Sequence, residues 1–239
     1  MHSLFISDLH LCPTRPAINK IFFDFLRGPA AQAGALYILG DLFEYWVGDD
    51  DLADPFHSVI AGFLLGLSQA GVKLRVMRGN RDFLFGERFC AATGAELLED
   101  PSVLKLGGVG TVVMHGDTLC TDDTDYQAWR RLVRQPDWQR EFQSLPVEAR
   151  REIGRDAREE STIAKGKKSM EIMDAADSAV RDAFRRHRVD RMIHGHTHRP
   201  GHHQMEVDGR RCERWVLPDW YERGGYLEVA GGRPRLVRF

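Results

Sequence analysis

The stretch His194-Gly195-His196-Thr197-His198 sets three histidines within five positions, directly behind the short apolar run Met192-Ile193. An imidazole is a good ligand for a divalent metal when its second ring nitrogen is held by a neighbour. A tight strand-to-loop turn can aim two imidazoles, two residues apart, at one point; a His-rich surface loop is the plainer alternative. The rest of the chain separates the two, because four other segments end in the same way. They are Ile6-Ser7-Asp8-Leu9-His10, Leu39-Gly40-Asp41, Met77-Arg78-Gly79-Asn80-Arg81-Asp82 and Met114-His115-Gly116-Asp117. Each follows a short β-favouring run: Leu4-Phe5-Ile6, Leu36-Tyr37-Ile38-Leu39, Leu74-Arg75-Val76-Met77 and Val112-Val113-Met114. Asp8, His10, Asp41, Asn80, His115 and the His loop therefore all stand at the ends of predicted strands. In open α/β sheets, ligands bind where such ends converge. Carboxylate, amide and imidazole together suit Mn²⁺, Fe²⁺ or Zn²⁺ better than Mg²⁺ alone. One carboxylate can bridge two ions roughly 3.5–4 Å apart, the spacing of two-metal phosphoester chemistry.

Read as blocks, Asp8-Leu9-His10, Gly40-Asp41, Gly79-Asn80, His115 and Gly195-His196-Thr197-His198 follow the order D-x-H, G-D, G-N, H, G-H-x-H. In this the chain resembles the calcineurin-like metallophosphoesterases, across nearly its whole length.

The 239 residues suffice for one domain with a sizeable core, or one domain plus an insertion. Hydrophobic content of 43% and charged content of 28% are those of an ordinary globular protein. A net charge of −2 gives no electrostatic footprint for nucleic acid. The four cysteines are widely spaced without a CxxC, which fits a reducing compartment. Met1 runs straight into the first strand, so no signal peptide is expected, and no apolar run reaches membrane-spanning length. No protein partner is evident.

Residues 2–7, 35–39, 73–77, 111–115 and 189–193 read as strands, alternating with helices from Pro16, over 55–70 and over 83–93. That alternation argues an α/β sheet with helices outside. Asp49, Asp50 and Asp51 read as solvated or as a cap for the 55–70 helix. From about 125 to 187 no strand is expected: Arg, Glu, Asp, Gln and Ala dominate around Pro136 and Pro146. This predicts a helical insertion, a lid over 120–187, within a single domain 1–239. Runs at 203–207, 213–217, 225–229 and 236–239 complete the β content, with Asp208-Gly209 as a hairpin turn. Two packed mixed β-sheets flanked by helices fit this pattern, and they match the αββα sandwich that the resemblance implies.

Further blocks narrow the resemblance. Asp41-Leu42-Phe43-Glu44, Gly79-Asn80-Arg81-Asp82-Phe83-Leu84, His115 through Asp123, Lys168-Ser169 with Ile172-Met173-Asp174, and Ile193 through Pro200 look like the UDP-2,3-diacylglucosamine pyrophosphohydrolase family of bacterial lipid A biosynthesis. That resemblance implies hydrolysis of a lipid-linked UDP-sugar to UMP and the acylated sugar 1-phosphate, with two Mn²⁺ per chain. It implies a cytoplasmic protein, peripheral on the inner membrane. Carried over residue by residue, one ion would take Asp8, His10, Asp41 and His198, and the other Asp41, Asn80, His115 and His196. Asp41, Asn80, Arg81 and His115 would be the catalytic residues. Asn80, Arg81, Asp123, Ser161, Lys165, Lys168 and His196 match substrate-binding positions there. His194 precedes the glycine and is expected to support the loop, not to bind metal.

The chemistry follows from charge. Two divalent ions lower the pKa of a bridging water and hold a hydroxide at neutral pH. That hydroxide would attack the uridine-side phosphorus, while the metals and Arg81 stabilise the charge that builds up. Many phosphoesterases of the superfamily carry a His at the position of Arg81, resembling a general acid for an alkoxide leaving group. Arginine cannot release a proton at useful pH, and a phosphate, with a second pKa of about 6, needs little protonation to leave. A pyrophosphate substrate therefore suits Arg81; a structural pairing of Arg81 with Asp82 is the plainer reading. Ser161, Lys165 and Lys168 fall on one helix face, either a phosphate grip or a solvated basic stripe. Trp138, Phe142, Leu145, Ile153 and Ile163 read as core by default, although a pocket for acyl chains would need such side chains. Arg150, Arg151, Arg155 and Arg158 could touch anionic headgroups, an idea weakened by interleaved acids. Two other readings compete: a phosphoesterase for a soluble nucleotide or other phosphodiester, and a non-enzymatic scaffold, which would have lost ligands that are all present here.

Overall fold

The computed structural model describes residues 2–167 and 174–239, with the side chains of 160–167 outside that description. Two mixed sheets lie face to face. The first has strand order β11-β10-β1-β2-β3-β4: β1 (His2–Ile6), β2 (Ala35–Leu39), β3 (Lys73–Met77) and β4 (Glu96–Leu98) run parallel, and β10 (Gly225–Ala230) and β11 (Arg233–Arg238) antiparallel. The second has order β5-β6-β7-β9-β8: β6 (Val109–Met114), β7 (Arg191–His194) and β9 (Arg210–Val216) are parallel, edged by β5 (Ser102–Leu106) and β8 (Gly201–Val207).

The period-2 alternation of the strands assigns the layers. Phe5, Tyr37, Leu39 and Met77 point inward to meet Val113, Ile193 and Trp215 of the other sheet. Leu4, Ile6, Leu36, Ile38, Leu74 and Val76 point outward onto α1 (Pro16–Arg27), α2 (Pro55–Gln69) and α3 (Glu87–Thr93). Strands buried on both faces read as the near-continuous apolar runs seen in the sequence. The outer face of the second sheet, with Val112, Met114 and Met192, is covered by Val180 and Phe184 of α7 (Asp177–His187). Helix, sheet, sheet, helix is the expected αββα sandwich.

Among the described residues, the interval between β6 and β7 holds the helices α4 (Thr124–Val133), α5 (Pro136–Ser144), α6 (Val147–Lys167) and α7. The expected insertion divides in two. α7 is a packed layer of the sandwich, whereas α5 buries none of its residues and α4 only Val133. Trp129, Leu132, Leu145 and Ile153 are among the most exposed large apolar side chains described. The default reading of the insertion's apolar residues as core fails for Leu145 and Ile153, because a helix layered outside a finished sandwich has no second face to bury.

The acidic loop differs from expectation. Asp54, not Asp49–Asp51, caps α2, accepting from Phe56 N at 2.8 Å. Asp49 reaches the start of α3 and accepts from Gly86 N at 3.0 Å and Phe89 N at 3.1 Å. Asp51 is fully buried between His57 and Arg151. Arg150 pairs with Asp50, and Arg158 with Glu44. These arginines of α6 thus dock the insertion on the sandwich. The expected 83–93 helix begins only at Glu87, since Phe83–Gly86 form a turn pinned by Asp49 and by Arg78, whose Nε donates to Phe85 O at 2.8 Å.

Candidate metal centre

The five strands whose ends carry the candidate ligands lead to one place. Asp8 and His10 follow β1, Asp41 follows β2, Asn80 and Arg81 follow β3, His115 follows β6, and His196 and His198 follow β7. The loops are tied together by their backbones. Leu9 N and His10 N both donate to Asp41 O, at 2.9 and 3.0 Å, and Gly195 N donates to His115 O at 2.8 Å. Asp8, His10, Asp41, His196 and His198 all adopt left-handed φ, between 49° and 67°. Such conformations cost on the order of 1–3 kcal/mol each and persist only where the surroundings over-determine them. Two motif glycines permit the close approach. A Cβ on Gly79 would stand 2.2 Å from Asp41 Oδ1, and one on Gly195 2.2 Å from Ser7 Oγ and 2.3 Å from Asp8 Oδ2.

The side chains form two adjoining groups. In one, Asp8, His10 and His198 each bring an atom within 4.8 Å of the others. Asp8 Oδ2 accepts from Ser7 Oγ at 2.6 Å and from His196 N at 2.8 Å, which leaves Oδ1 facing His198 Nε2 at 3.4 Å. In the other group, Asn80 Oδ1 lies 2.9 Å from both His115 Nε2 and His196 Nδ1. Asp41 stands between them, Oδ2 lying 3.8 Å from His10 Nε2 and Oδ1 lying 3.7 Å from His115 Nε2. Asp8 and Asp41, expected to share one ion, also converge with His115, which the sequence reading had placed on the other ion.

Electrostatics match the geometry. Burial pushes the Asp8 carboxyl up, but His198, His115 and His10 outweigh it and hold it well below the usual carboxylate range. Burial pulls His115 down, but Asp41, Asp117, Asp8 and Asp100 outweigh it and lift it to about 9. Burial, aided by the Asp8 charge, pushes Asp41 up.

The residues fit divalent metal. His115 Nδ1 lies 2.9 Å from Leu39 O, an atom that can only accept, so Nδ1 carries a proton. In the neutral imidazole Nε2 is then a lone pair facing a second acceptor, Asn80 Oδ1. With Asn80 Oδ1 facing it, a proton or a cation reconciles the two acceptors at that distance, and the carbonyl-held second nitrogen is how ligating histidines are oriented.

Arg81 sits at the rim, its N–H donating to Asp41 Oδ1 at 2.8 Å. Asp82 is fully buried and taken up by backbone: its carboxylate accepts from Asp41 N at 3.1 Å, Leu42 N at 2.7 Å and Gly79 N at 2.8 Å. Burial and the Asp41 charge push it to about 7. His194 lies outside both groups, fully buried, with Nδ1 2.8 Å from Gly195 O; burial and Arg214 take its pKa down to about 4. It braces the loop as a neutral ring. Asp123 caps α4, accepting from Tyr126 N at 3.1 Å. Ser161 and Lys165 fall in α6 with side chains outside the described residues, and Lys168 lies outside them altogether.

Sequence reasoning missed several neighbours. Tyr221 lies 5.3 Å from the His10 ring and 5.2 Å from the His198 ring, centroid to centroid. Arg15 holds that wall, donating to Trp220 O at 2.6 Å and Tyr221 O at 2.9 Å. Tyr126 lies 5.7 Å from the His196 ring. Asp117 was visible in the His-Gly-Asp block that follows β6; nothing local marks the tyrosines.

A model of the calcineurin-like phosphoesterases matches residues 1–200. A UDP-2,3-diacylglucosamine hydrolase of Aromatoleum aromaticum is 48% identical over 240 residues, covering 100% of this chain and 98% of its own length. The Klebsiella pneumoniae protein of that name is 47% identical, covering 100% of this chain and 99% of its own. The Stenotrophomonas maltophilia one is 47% identical, covering 97% and 96%. By motif order, fold and end-to-end identity, the chain belongs to the calcineurin-like phosphoesterases, among the relatives named UDP-2,3-diacylglucosamine hydrolase.

Proposed function

We propose that this protein hydrolyses the pyrophosphate bond of UDP-2,3-diacylglucosamine, giving UMP and 2,3-diacylglucosamine 1-phosphate, as a step of lipid A biosynthesis. The observation that carries the reading is identity of 45–48% from end to end with relatives of that name, together with a full set of ligand residues. Asp8, His10, Asp41 and His198 would hold one Mn²⁺, and Asp41, Asn80, His115 and His196 a second, with Asp41 shared. Two such ions supply a lowered water pKa and positive charge at the phosphoryl oxygens.

The chain's own residues do the rest. A water oxygen attacks the uridine-side phosphorus, the bond from that phosphorus to the bridging oxygen breaks, and the sugar 1-phosphate leaves. Arg81 stabilises the charge that builds on the phosphoryl oxygens, and its permanent positive charge suits a leaving group that needs no proton. Asn80, Arg81, His196, Asp123, Ser161, Lys165 and Lys168 would bind the substrate. Phe83, two residues beyond Arg81, lies 6.2 Å from both Trp129 and Trp138, and Trp138 stacks on Phe142 at 4.9 Å. An aromatic surface beside the charged rim favours a lipid-bearing substrate over a soluble nucleotide.

Among the described residues no helix is long and apolar enough to cross a membrane. A lipid-linked substrate calls for a peripheral encounter at the cytoplasmic face of the inner membrane. Arg150, Arg151 and Arg158 are engaged with acids of the sandwich, so they are not the groups that would meet headgroups. Co-sedimentation with anionic vesicles tests that encounter.

The direct test is turnover of UDP-2,3-diacylglucosamine by metal-stripped protein, with Mn²⁺ added back, in ¹⁸O-labelled water. Label in UMP supports the full reading. Label in the sugar phosphate keeps the substrate and moves the site of attack. Hydrolysis of a generic phosphodiester with none of the lipid substrate favours the soluble-nucleotide reading.

A further inference from the structure

Helix α4 opens the insertion, and its side chains turn back onto the loops that carry Asn80, His115 and His196. Arg134, its C-terminal cap residue, donates from a terminal guanidinium nitrogen to Gly79 O at 2.9 Å, the residue before Asn80. The same guanidinium lies 5.6 Å from the centre of the Phe83 ring, three residues past Asn80. Arg130 Nε donates to Asp117 Oδ2 at 2.7 Å, and the Tyr126 hydroxyl donates to the same oxygen at 2.8 Å. Asp117 is fully buried and stands two residues past His115. Gln127 closes the contact, donating to Asp117 O at 2.8 Å. The Tyr126 ring lies 5.7 Å from the His196 ring, tilted by 33°. One helix therefore reaches all three residues at one remove.

The position has little slack. Asn80 Oδ1 must stay 2.9 Å from two imidazole nitrogens at once. Gly79 is pressed so closely on Asp41 that a Cβ would stand 2.2 Å from its carboxylate. A guanidinium on the Gly79 carbonyl adds a second tie to the loop. We propose that Tyr126, Arg130 and Arg134 are positioning residues: α4 is the outer wall that keeps Asn80, His115 and His196 converged on one cation. The insertion then sets metal affinity at that half of the centre. This rests on the two-ion reading above.

The test is Mn²⁺ titration of the metal-stripped full-length chain, with free ion followed by electron paramagnetic resonance. Wild type is expected to bind two ions and to show a spin-coupled pair at two equivalents. Arg134→Gln is expected to weaken one ion roughly 10–100-fold, the usual effect of losing an outer partner of a ligand, and to leave the other unchanged. The two-equivalent spectrum then becomes that of a single ion. Arg134→Lys keeps a donor for the carbonyl and is expected to recover the pair. Tyr126→Phe, which loses only the hydroxyl, should shift the same ion by less. Two ions bound by Arg134→Gln with wild-type affinity would overturn the proposal. So would equal weakening of both ions with a lowered Tm, which marks a structural pin alone. A wild-type chain that binds fewer than two ions removes the two-ion reading and this inference with it.

Discussion

The two halves of the ligand cluster are built differently. Around His10 and His198 the described contacts are longer: 3.8 Å from His10 to Asp41 and 3.4 Å from His198 to Asp8, with the Tyr221 ring 5.3 Å from that of His10. Around His115 they are closed. Asn80 Oδ1 sits at hydrogen-bond distance from two imidazoles, His115 is fully buried, and its far nitrogen is fixed on a β2 carbonyl. One half is held chiefly by the strained loops after β1 and β7; the other is also clamped between sheet and α4. The lesson is that convergence alone does not make two sites equal. The carboxylates around His115 favour a proton on its ring, which a cation entering this half would replace, and Asp41 stands between the halves.

The sharpest way to break this comparison is to remove the shared residue. Asp41→Ala is expected to lower kcat by at least about a thousandfold, the several kcal/mol that metal ions contribute to charge stabilisation, in a protein that still folds. Activity near wild type in that variant would end the two-ion model. A second test exploits the His115 proton. His115 is raised to about 9, so below that pH a cation entering the closed half must displace a proton. Mn²⁺ affinity there is expected to rise about tenfold per pH unit up to pH 9 and then level off. A flat profile in a calorimetric titration would show that the closed half is not proton-loaded. Gly79→Ala probes the contact between the halves: the added methyl meets the Asp41 carboxylate, and overpacking of this kind costs about 1–3 kcal/mol. A lowered Tm together with lost kcat is expected, and an unchanged Tm would mean that the Gly79 loop can yield. The smallest effect belongs to the insertion's substrate grip. Lys168→Ala is expected to raise KM by about tenfold, the scale of one charge-assisted hydrogen bond, with a smaller change in kcat. An unchanged KM would return Lys168 to a solvated stripe.

Most of the sandwich was legible because its strands are buried on both faces and end in unusual residues. Leu36–Leu39 needs no neighbour to read as a strand, and Gly40-Asp41 marks where it stops. β4 and β5 were not legible. Glu96-Leu97-Leu98 is only three residues long, and Ser102–Leu106, at a sheet edge, buries only Leu106. The seven predicted ligand residues do come together, since each sits at a strand end that topology brings to one place. What surrounds them was hidden. Tyr221 and Tyr126 reach the histidines from segments that carry no local signal, and Asp82 is bonded by three backbone amides that only the folded loops bring near it. In the acidic triplet, Asp50 and Asp51 meet Arg150 and Arg151, which lie 100 residues away in sequence, and Asp49 meets the amides of Gly86 and Phe89, 37 and 40 residues on, so nothing local marked these partners.

In the two-ion reading Asp41 joins two cation sites. Anomalous diffraction at the manganese edge, on crystals grown with Mn²⁺, addresses it most directly. Two peaks roughly 3.5–4 Å apart, the spacing of two-metal centres, with the Asp41 carboxylate between them, are the predicted result. A single peak, or two peaks that share no ligand at Asp41, would show that Asp41 does not join two ions.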